Sequence, residues 1–354
     1  MAERQRLGVI FGGQSGEHEV SVVSAQHVIA AAGERFEVVP IGVSKTGAWL
    51  TPPETQRQLD REDEAFHKTL ELADADDLLA RPEALASLRE IDVAFPLIHG
   101  TFGEDGTLQG LLELAGVPYV GAGVAASAIG MDKALMKRMF RQAGLDVPEH
   151  IVVRSTQYRA QAEDVAVAIE TSIGYPAFVK PANGGSSVGI SKVRSKEDLA
   201  HAFCVAFRQD RKVLVEQAIE AREVECAVLG NDDPQPSPIG EIRYTREFYD
   251  YDAKYLDPST QLVIPADLPD ETVRRVQDLA VRGYRAIDCA GMGRMDFFLT
   301  GSGDLYIDEV NTLPGFSPAS MYPALWQHAG LGYGDLIARL VELALERHRE
   351  RPRG

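Results

Sequence analysis

Residues 293–311, GRMDFFLTGSGDLYIDEVN, constrain this chain more than any other stretch. Two apolar, β-prone runs flank Thr300-Gly301-Ser302-Gly303-Asp304, a pattern that predicts a hairpin with a glycine-containing loop. Alternate residues of a strand share a face. Arg294 therefore goes with Asp296, and Glu309 with Asn311, and pairing across the loop brings Asp296 beside Glu309. One sheet face then carries two carboxylates, an amide oxygen and a guanidinium. Hard divalent cations, Mg²⁺ above all, take oxygen ligands of this kind and share them with substrate phosphates. Polar–apolar alternation also describes an ordinary solvated sheet face. Two facing strands with converging acids, followed at once by Asn311-Thr312-Leu313-Pro314-Gly315, favour the metal reading.

The rest of the composition sets bounds. A chain of 354 residues is long enough for two or three domains with a sizeable core. A formal charge of −17 argues against nucleic acid or an anionic membrane as partner, although local basic groups can still hold nucleotide phosphates. Cys204, Cys226 and Cys289 are widely spaced and form no CxxC pair. They are expected to be three reduced, buried thiols in a cytoplasmic protein rather than a disulfide framework or a zinc site. The N-terminus leads into a short strand, not an apolar signal core, and no run approaches the roughly 18 apolar residues of a membrane span.

Residues 7–11 form a continuous apolar run ending in Gly12-Gly13, which reads as a buried parallel strand. Val22, Val23, Gln26, Val28, Ile29 and Ala32 show partial helical spacing, with Gly33 as the stop. A second strand follows at 36–43, and this βαβ pattern implies an open α/β sheet. Residues 51–90 read as surface helix and loop. A strand at 91–98, a helix at 108–115 and a strand at 117–120 lead to Gly121-Ala122-Gly123, read as a linker. A helix over 131–143 is closed by Gly144. Strands near 150–154, 177–181, 188–193 and 213–216 surround helices near 162–172 and 196–207, a small α+β lobe. The last part alternates strands with a long loop at 244–266 and closes with an amphipathic helix at 333–347. The expected division is an open α/β domain at 1–125, a small central lobe at 126–215 and a C-terminal α+β lobe at 216–354.

Several further segments carry chemistry. Gly12-Gly13-Gln14-Ser15-Gly16-Glu17-His18-Glu19 joins strand to helix, where open α/β sheets bind ligands. It lacks G-x-G-x-x-G spacing, which disfavours a dinucleotide. It is either a tight turn with incidental acids or a place where the Glu17 carboxylate holds a substrate ammonium. At 98–106, IHGTFGEDG is either a surface turn or a strand end that aims His99 into the same cleft. At 178–189, FVKPANGGSSVG ends a strand in Lys180 and opens a Gly/Ser loop. Successive N–H groups of such a loop can form a nest for phosphate, though it is not a Walker A loop, and a flexible hairpin is the other reading. Glu216-Gln217-Ala218-Ile219, with Glu223 beyond, offers acceptors for an adenine amino group and a ribose, or is a surface edge. At 248–255, FYDYDAKY puts aromatic rings and charges into a long loop, which reads as a lid.

These segments occur as the ordered series GGQSGEHEVS, HGTFGEDG, MDKALMKR, KPANGGSSVG, FYDYDAKY, GRMDFF and EVNTLPGFSPASMYP. In that series the chain resembles the D-alanine–D-alanine ligases of the ATP-grasp superfamily, from Gly8 to Glu346. The resemblance implies that Lys133, Lys180, Glu216, Gln217, Ala218, Ile219, Glu223, Phe248 and Lys254 line the ATP site, with Lys180 and Lys254 on phosphates. It implies that Asp296, Glu309 and Asn311 hold two Mg²⁺ (or Mn²⁺) ions. Glu17 would bind the ammonium of a first D-alanine near His99, and Ser186 and Tyr255 would join Glu17 in a hydrogen-bonded set under the lid. Arg294 and the Gly315 N–H would face a developing oxyanion. Ser320 and the Met321 backbone would take the carboxylate of a second D-alanine. Met321 stands where other members carry Leu, an exchange expected to be neutral for a backbone contact. A cytoplasmic homodimer is implied. The alternatives are a related D-alanyl-D-lactate or D-alanyl-D-serine ligase, which Tyr255 within DYDAKY disfavours, and a silent ATP-binding protein. A silent protein is expected to lose a metal ligand or Arg294, and neither is lost.

Overall fold

The computed structural model describes residues 4–60, 70, 82–243 and 261–350. Its first sheet is parallel, in the order β2–β1–β3, with β1 at Arg6–Gly12, β2 at Glu37–Val43 and β3 at Val93–Pro96. Every residue of β1 after Arg6 is buried, as a central parallel strand requires. The strand expected at 117–120 is a single parallel bridge, Ala94 to Tyr119, flanked by two backbone hydrogen bonds. The helix His18–Ala32 ends at Gly33 and covers the sheet with Val22, Ala25 and Val28. Gly12 has φ 95°, and a Cβ there would lie 2.0 Å from the Val43 carbonyl oxygen, so the turn out of β1 requires glycine.

His18 is wholly buried at the start of that helix. Its Nδ1 lies 2.8 Å from the Gly13 carbonyl, and its Nε2 accepts from the Leu70 N–H at 3.0 Å. A carbonyl only accepts and an amide N–H only donates, so the neutral tautomer with the proton on Nδ1 is selected. Burial pushes the imidazole pKa down, against the hydrogen bond to Gly13. The sign follows from linkage. The unfolded chain gains a proton at an ordinary value of about 6.5, and folded His18 resists it. The stability His18 contributes is present above that value and lost as pH falls through it. Denaturation of the wild type and His18→Asn should therefore show the wild-type advantage shrinking below about pH 6.5, by at most about 1.4 kcal/mol per pH unit. A difference constant from about pH 8 to about pH 5 would remove His18 as a buried neutral group.

The second sheet is antiparallel, order β4–β7–β5–β6, with β4 at His150–Arg154, β5 at Ala177–Pro181, β6 at Ser191–Val193 and β7 at Lys212–Gln217. Helices Ser155–Ser172 and Leu199–Ala206 pack on it through Ile169, Phe203 and Ala206. The expected division between 215 and 216 falls inside β7. Cys204 corrects an expectation. It is exposed, because Ala202, Phe203 and Ala206 hold the core face of its helix, while Cys226 and Cys289 are buried. The helix expected over 131–143 spans Lys133–Gln142, and a separate helix, Val124–Met131, precedes it. Asp132 separates them in an extended conformation, and its carboxylate caps the second by accepting from the Ala134 and Leu135 N–H groups. That break puts Lys133 at the start of a new helix, against the glycine loop.

The third sheet is antiparallel, order β10–β9–β8–β11–β12, with β8 at Ala221–Gly230, β9 at Gln235–Arg243, β10 at Gln261–Val263, β11 at Gly291–Thr300 and β12 at Leu305–Asn311. Helix Asp270–Ala286 covers its inner face through Val276, Ala280 and Tyr284. Helix Met321–His328 packs on β8 and β9, and helix Tyr333–Glu350 returns to the first sheet, where Leu336, Ile337 and Leu340 share one core with Leu7, Val9 and Val28. Arg347 donates to the carbonyls of Gly121 and Tyr119. The segment expected as a linker, Gly121-Ala122-Gly123, is thus tied to the last helix.

Candidate active site

The hairpin forms as the alternation predicts. Asp296 faces Glu309 and Arg294 faces Asn311. The register then shifts. Phe297 faces Ile307, so Asp308 is the extra residue of a β-bulge. Strict alternation would send either Asp308 or Glu309 into the core. The bulge turns both toward the cleft while Ile307 and Val310 stay buried. On the other side of β11, Asp296 faces Glu225 of β8. Glu225, Asp296 and Glu309 therefore stand in one row across three strands, with neighbouring Cβ atoms roughly 4.5–5.5 Å apart. Like charges so placed repel. Arg294 offsets this with a two-pronged contact to Asp296, at 2.8 and 2.7 Å, and an ion pair to Glu225 at 3.0 Å. Lys133 stands 3.3 Å from Glu309, and the Asn311 amide donates to Asp296 at 2.8 Å.

The donor set fits a hard divalent cation. It offers carboxylate and amide oxygens, whose mutual repulsion a cation relieves, and no sulfur or imidazole. Among the described residues no three of His, Cys, Asp and Glu cluster as a metal site.

Behind this row lies a buried group of four charges. Lys180, at the end of β5, donates to Glu216 at 2.5 Å and lies 3.6 Å from Asp308. Lys137 lies 2.7 Å from Glu216 and 3.0 Å from Asp308. Burial alone would lower the Lys180 pKa, but the adjacent Asp308 and Glu216 carboxylates raise it above the ordinary lysine value. Asp308 is held below the usual carboxylate range despite burial, because Lys180 and Lys137 flank it.

The Gly/Ser loop leaves β5 beside these groups. Lys133 Nζ donates to the Gly184 carbonyl at 3.0 Å, and Asn183 is held by Asp210 through its N–H at 2.9 Å and its amide at 2.7 Å. Ser186 and Ser187 adopt left-handed φ of 50° and 59°, a strained state for residues with a Cβ. That turn aims the Ser186 hydroxyl at Glu17, to which it donates. A Cβ on Gly100 would come within 3.2 Å of the Glu17 carboxylate and one on Gly185 within 3.1 Å, so glycines frame Glu17 on two sides. His99 is buried nearby, with Nδ1 3.1 Å from the Leu313 carbonyl and 3.6 Å from Glu104. Burial disfavours its charge, yet Glu104, Glu17 and the Leu313 carbonyl together raise its pKa.

Two cavities flank the row. One, of about 580 Å³, is lined by Phe178, Lys180, Glu216, Gln217, Ala218, Ile219, Glu223, Asp296 and Asp308. The other, of about 920 Å³, is lined by Glu17, His99, Glu104, Asn311, Gly315, Ser320 and Met321. Lys133, Gly184, Gly185, Ser186, Glu225, Arg294 and Glu309 line both. Ser320 precedes helix Met321–His328, with its oxygen 3.1 Å from the Ser317 N–H, and a Cβ on Gly315 would lie 3.2 Å from it. Met321 is buried against Gly240. Phe248, Lys254 and Tyr255 lie outside the described residues.

Residue-by-residue reading missed Lys137, Asp308, Glu225 and Glu104. Asp308 had a signal, since Asp308-Glu309 between Ile307 and Val310 breaks a period of two. Lys137, four residues after Lys133 on a helix, reads as a solvated charge.

Two family models match the chain, "D-ala D-ala ligase N-terminus" over residues 6–122 and "D-ala D-ala ligase C-terminus" over residues 139–342. The D-alanine–D-alanine ligase A of Escherichia coli is 48% identical over 357 residues, with 98% of this chain and 97% of that protein covered. The structure of the D-alanine–D-alanine ligase from Coxiella burnetii aligns with a TM-score of 0.81 at 32% identity, covering 99% of this chain and 96% of that one. The VanG D-Ala:D-Ser ligase from Enterococcus faecalis aligns with a TM-score of 0.80 at 34% identity, covering 97% and 100%. The three-sheet architecture is thus the ATP-grasp fold, and with family models over residues 6–122 and 139–342 and a relative 48% identical over nearly its whole length this chain belongs to the D-alanine–D-alanine ligase family.

Proposed function

We propose that the two cavities are one active site that joins two molecules of D-alanine into D-alanyl-D-alanine with ATP, for peptidoglycan precursor synthesis. One observation carries this reading. Lys133, Arg294 and Glu309 line both cavities, so a phosphate in one and a carboxylate in the other meet at a shared wall.

The reaction has two steps. A carboxylate oxygen of the first D-alanine attacks the γ-phosphorus of ATP, the bond to the bridging oxygen breaks, and ADP leaves an acyl phosphate. The amine of the second D-alanine, after losing a proton, attacks the acyl carbon, and inorganic phosphate leaves with the bonding pair. Little covalent chemistry is asked of the protein, so positioning and charge stabilisation dominate. Lys133 and Lys180 face the phosphates. The segment 217–219 and Glu223 take adenine and ribose, while Glu216, its backbone paired within β7 and its carboxylate held by Lys137 and Lys180, closes the back of that site. Glu17 takes the ammonium of the first D-alanine, steadied by Ser186 and flanked by His99. Arg294 and the Gly315 N–H face the oxyanion, while Ser320 and the Met321 backbone take the second carboxylate. Asp296, Glu309 and Asn311 would hold two Mg²⁺ (or Mn²⁺) ions, which when bound neutralise phosphate charge. Phe248, Lys254 and Tyr255 complete the nucleotide site and lid. The enzyme works in the cytoplasm as a homodimer. Among the described residues no helix is long and apolar enough to cross a membrane.

D-alanine is favoured over D-lactate or D-serine as acceptor. Curated relatives named D-alanine–D-alanine ligase are 46% and 48% identical to this chain over 98% of its length. Phosphate release from ATP, with products identified by mass spectrometry, tests the assignment. D-alanine alone should suffice and yield the dipeptide, and L-alanine should not. Release that requires D-lactate or D-serine would reassign the acceptor.

A further inference from the structure

Lys137 has no part in the chemistry above and lines neither cavity. It is nevertheless wholly buried. A buried ammonium is strongly disfavoured unless each donor is paired. Lys137 donates to the Asp308 carboxylate at 3.0 Å and to the Asp308 carbonyl at 2.9 Å, and it forms an ion pair with the Glu216 carboxylate at 2.7 Å. That carbonyl belongs to the residue the hairpin register skips. A bulge leaves such a residue outside the ladder, and Lys137 takes it up.

We propose that Lys137 is a positioning residue for ATP: it occupies Glu216 and Asp308 so that the Lys180 charge stays directed at phosphate, and it pins the bulge from which Glu309 projects. This rests on the reading that Lys180 meets phosphate. Lys137 and Lys180 balance Glu216 and Asp308, two charges against two. Without Lys137, Lys180 alone stands between two carboxylates. It is drawn inward, and its field is spent on them rather than on a ligand.

Charge compensation separates this role from simple support of the fold. Lys137→Met removes one positive charge, and Lys137→Met/Asp308→Asn removes one of each sign while leaving the segment 216–219 as it is. Equilibrium binding of ATP with Mg²⁺, together with thermal unfolding, is measured on both and on Lys180→Met. Lys137→Met should weaken ATP binding by about ten- to hundred-fold, the worth of one hydrogen bond to a charged group, and the double variant should recover most of that loss. If Lys180→Met binds ATP as the wild type does, the phosphate reading falls and the inference with it. If Lys180→Met weakens binding but Lys137→Met does not, or the double variant stays as weak as Lys137→Met, the positioning role alone is overturned. Should Lys137→Met fail to fold, the double variant decides. A folded double variant with near-wild-type ATP affinity supports charge balance, and one that also fails to fold reduces Lys137 to a structural residue.

Discussion

Arg294→Met is expected to lower kcat by about 10²–10³-fold while changing the KM for ATP much less, because an oxyanion contact matters mainly in the transition state. The geometry adds a complication. Arg294 also neutralises Asp296 and Glu225, each at 3.0 Å or closer. Its loss leaves acids in register on neighbouring strands with less compensation, so a fall in stability is expected alongside the fall in turnover. Arg294→Lys separates the two effects. Lysine returns the charge to the row but not the planar fork that grips Asp296 through two nitrogens. It should restore thermal stability more than it restores kcat. Steady-state kinetics and melting curves on both variants give the answer. A methionine variant altered only in ATP affinity would move Arg294 to the nucleotide and out of the oxyanion site.

Glu309→Gln should cost turnover on the order of 10²–10³-fold with the fold retained, since one charge is lost where the work is neutralising phosphate. Lys133, 3.3 Å from Glu309, would lose an ion-pair partner as well. The Mg²⁺ concentration for half-maximal rate should therefore rise. Glutamine keeps the size and an acceptor oxygen, so the bulge at Asp308 should persist. Near-normal activity with an unchanged Mg²⁺ dependence would sink the metal assignment of the hairpin. Calorimetry of Mg²⁺ binding with a non-hydrolysable nucleotide would separate weakened metal affinity from slowed chemistry.

Much of the site is legible in the chain because its signals are local. Strand alternation put Arg294 with Asp296 and Glu309 with Asn311, and a short glycine-containing loop joined the two strands; the loop register alone would set Asp296 against Asp308, and the bulge brings Glu309 opposite it. Lys180 followed by Gly/Ser residues placed a glycine-rich loop beside the acidic row, where Lys133 and Asp210 hold it. Strand-end glycines marked the turns that carry Glu17 and His99. What failed were readings that depend on which face another element covers. Cys204 is exposed because its helix uses other residues for the core, and 121–123 is no free linker because Arg347, far along the chain, holds it.

The sequence by itself determined most of the elements, the joining of β11 and β12 in a hairpin and the residue types proposed to meet ATP and D-alanine, because strand period, turn chemistry and loop composition act over a few residues. Tertiary structure alone decided the meeting of Asp308 with Lys180, the row that adds Glu225 to Asp296 and Glu309, and the burial of Lys137. Each of these needs groups from separate elements. Lys137 comes from one helix, Glu216 from β7 and Asp308 from β12, and only their convergence makes a buried ammonium tolerable. No local pattern carries that information, because the same lysine on the same helix would sit in water if β7 and β12 were not packed across it.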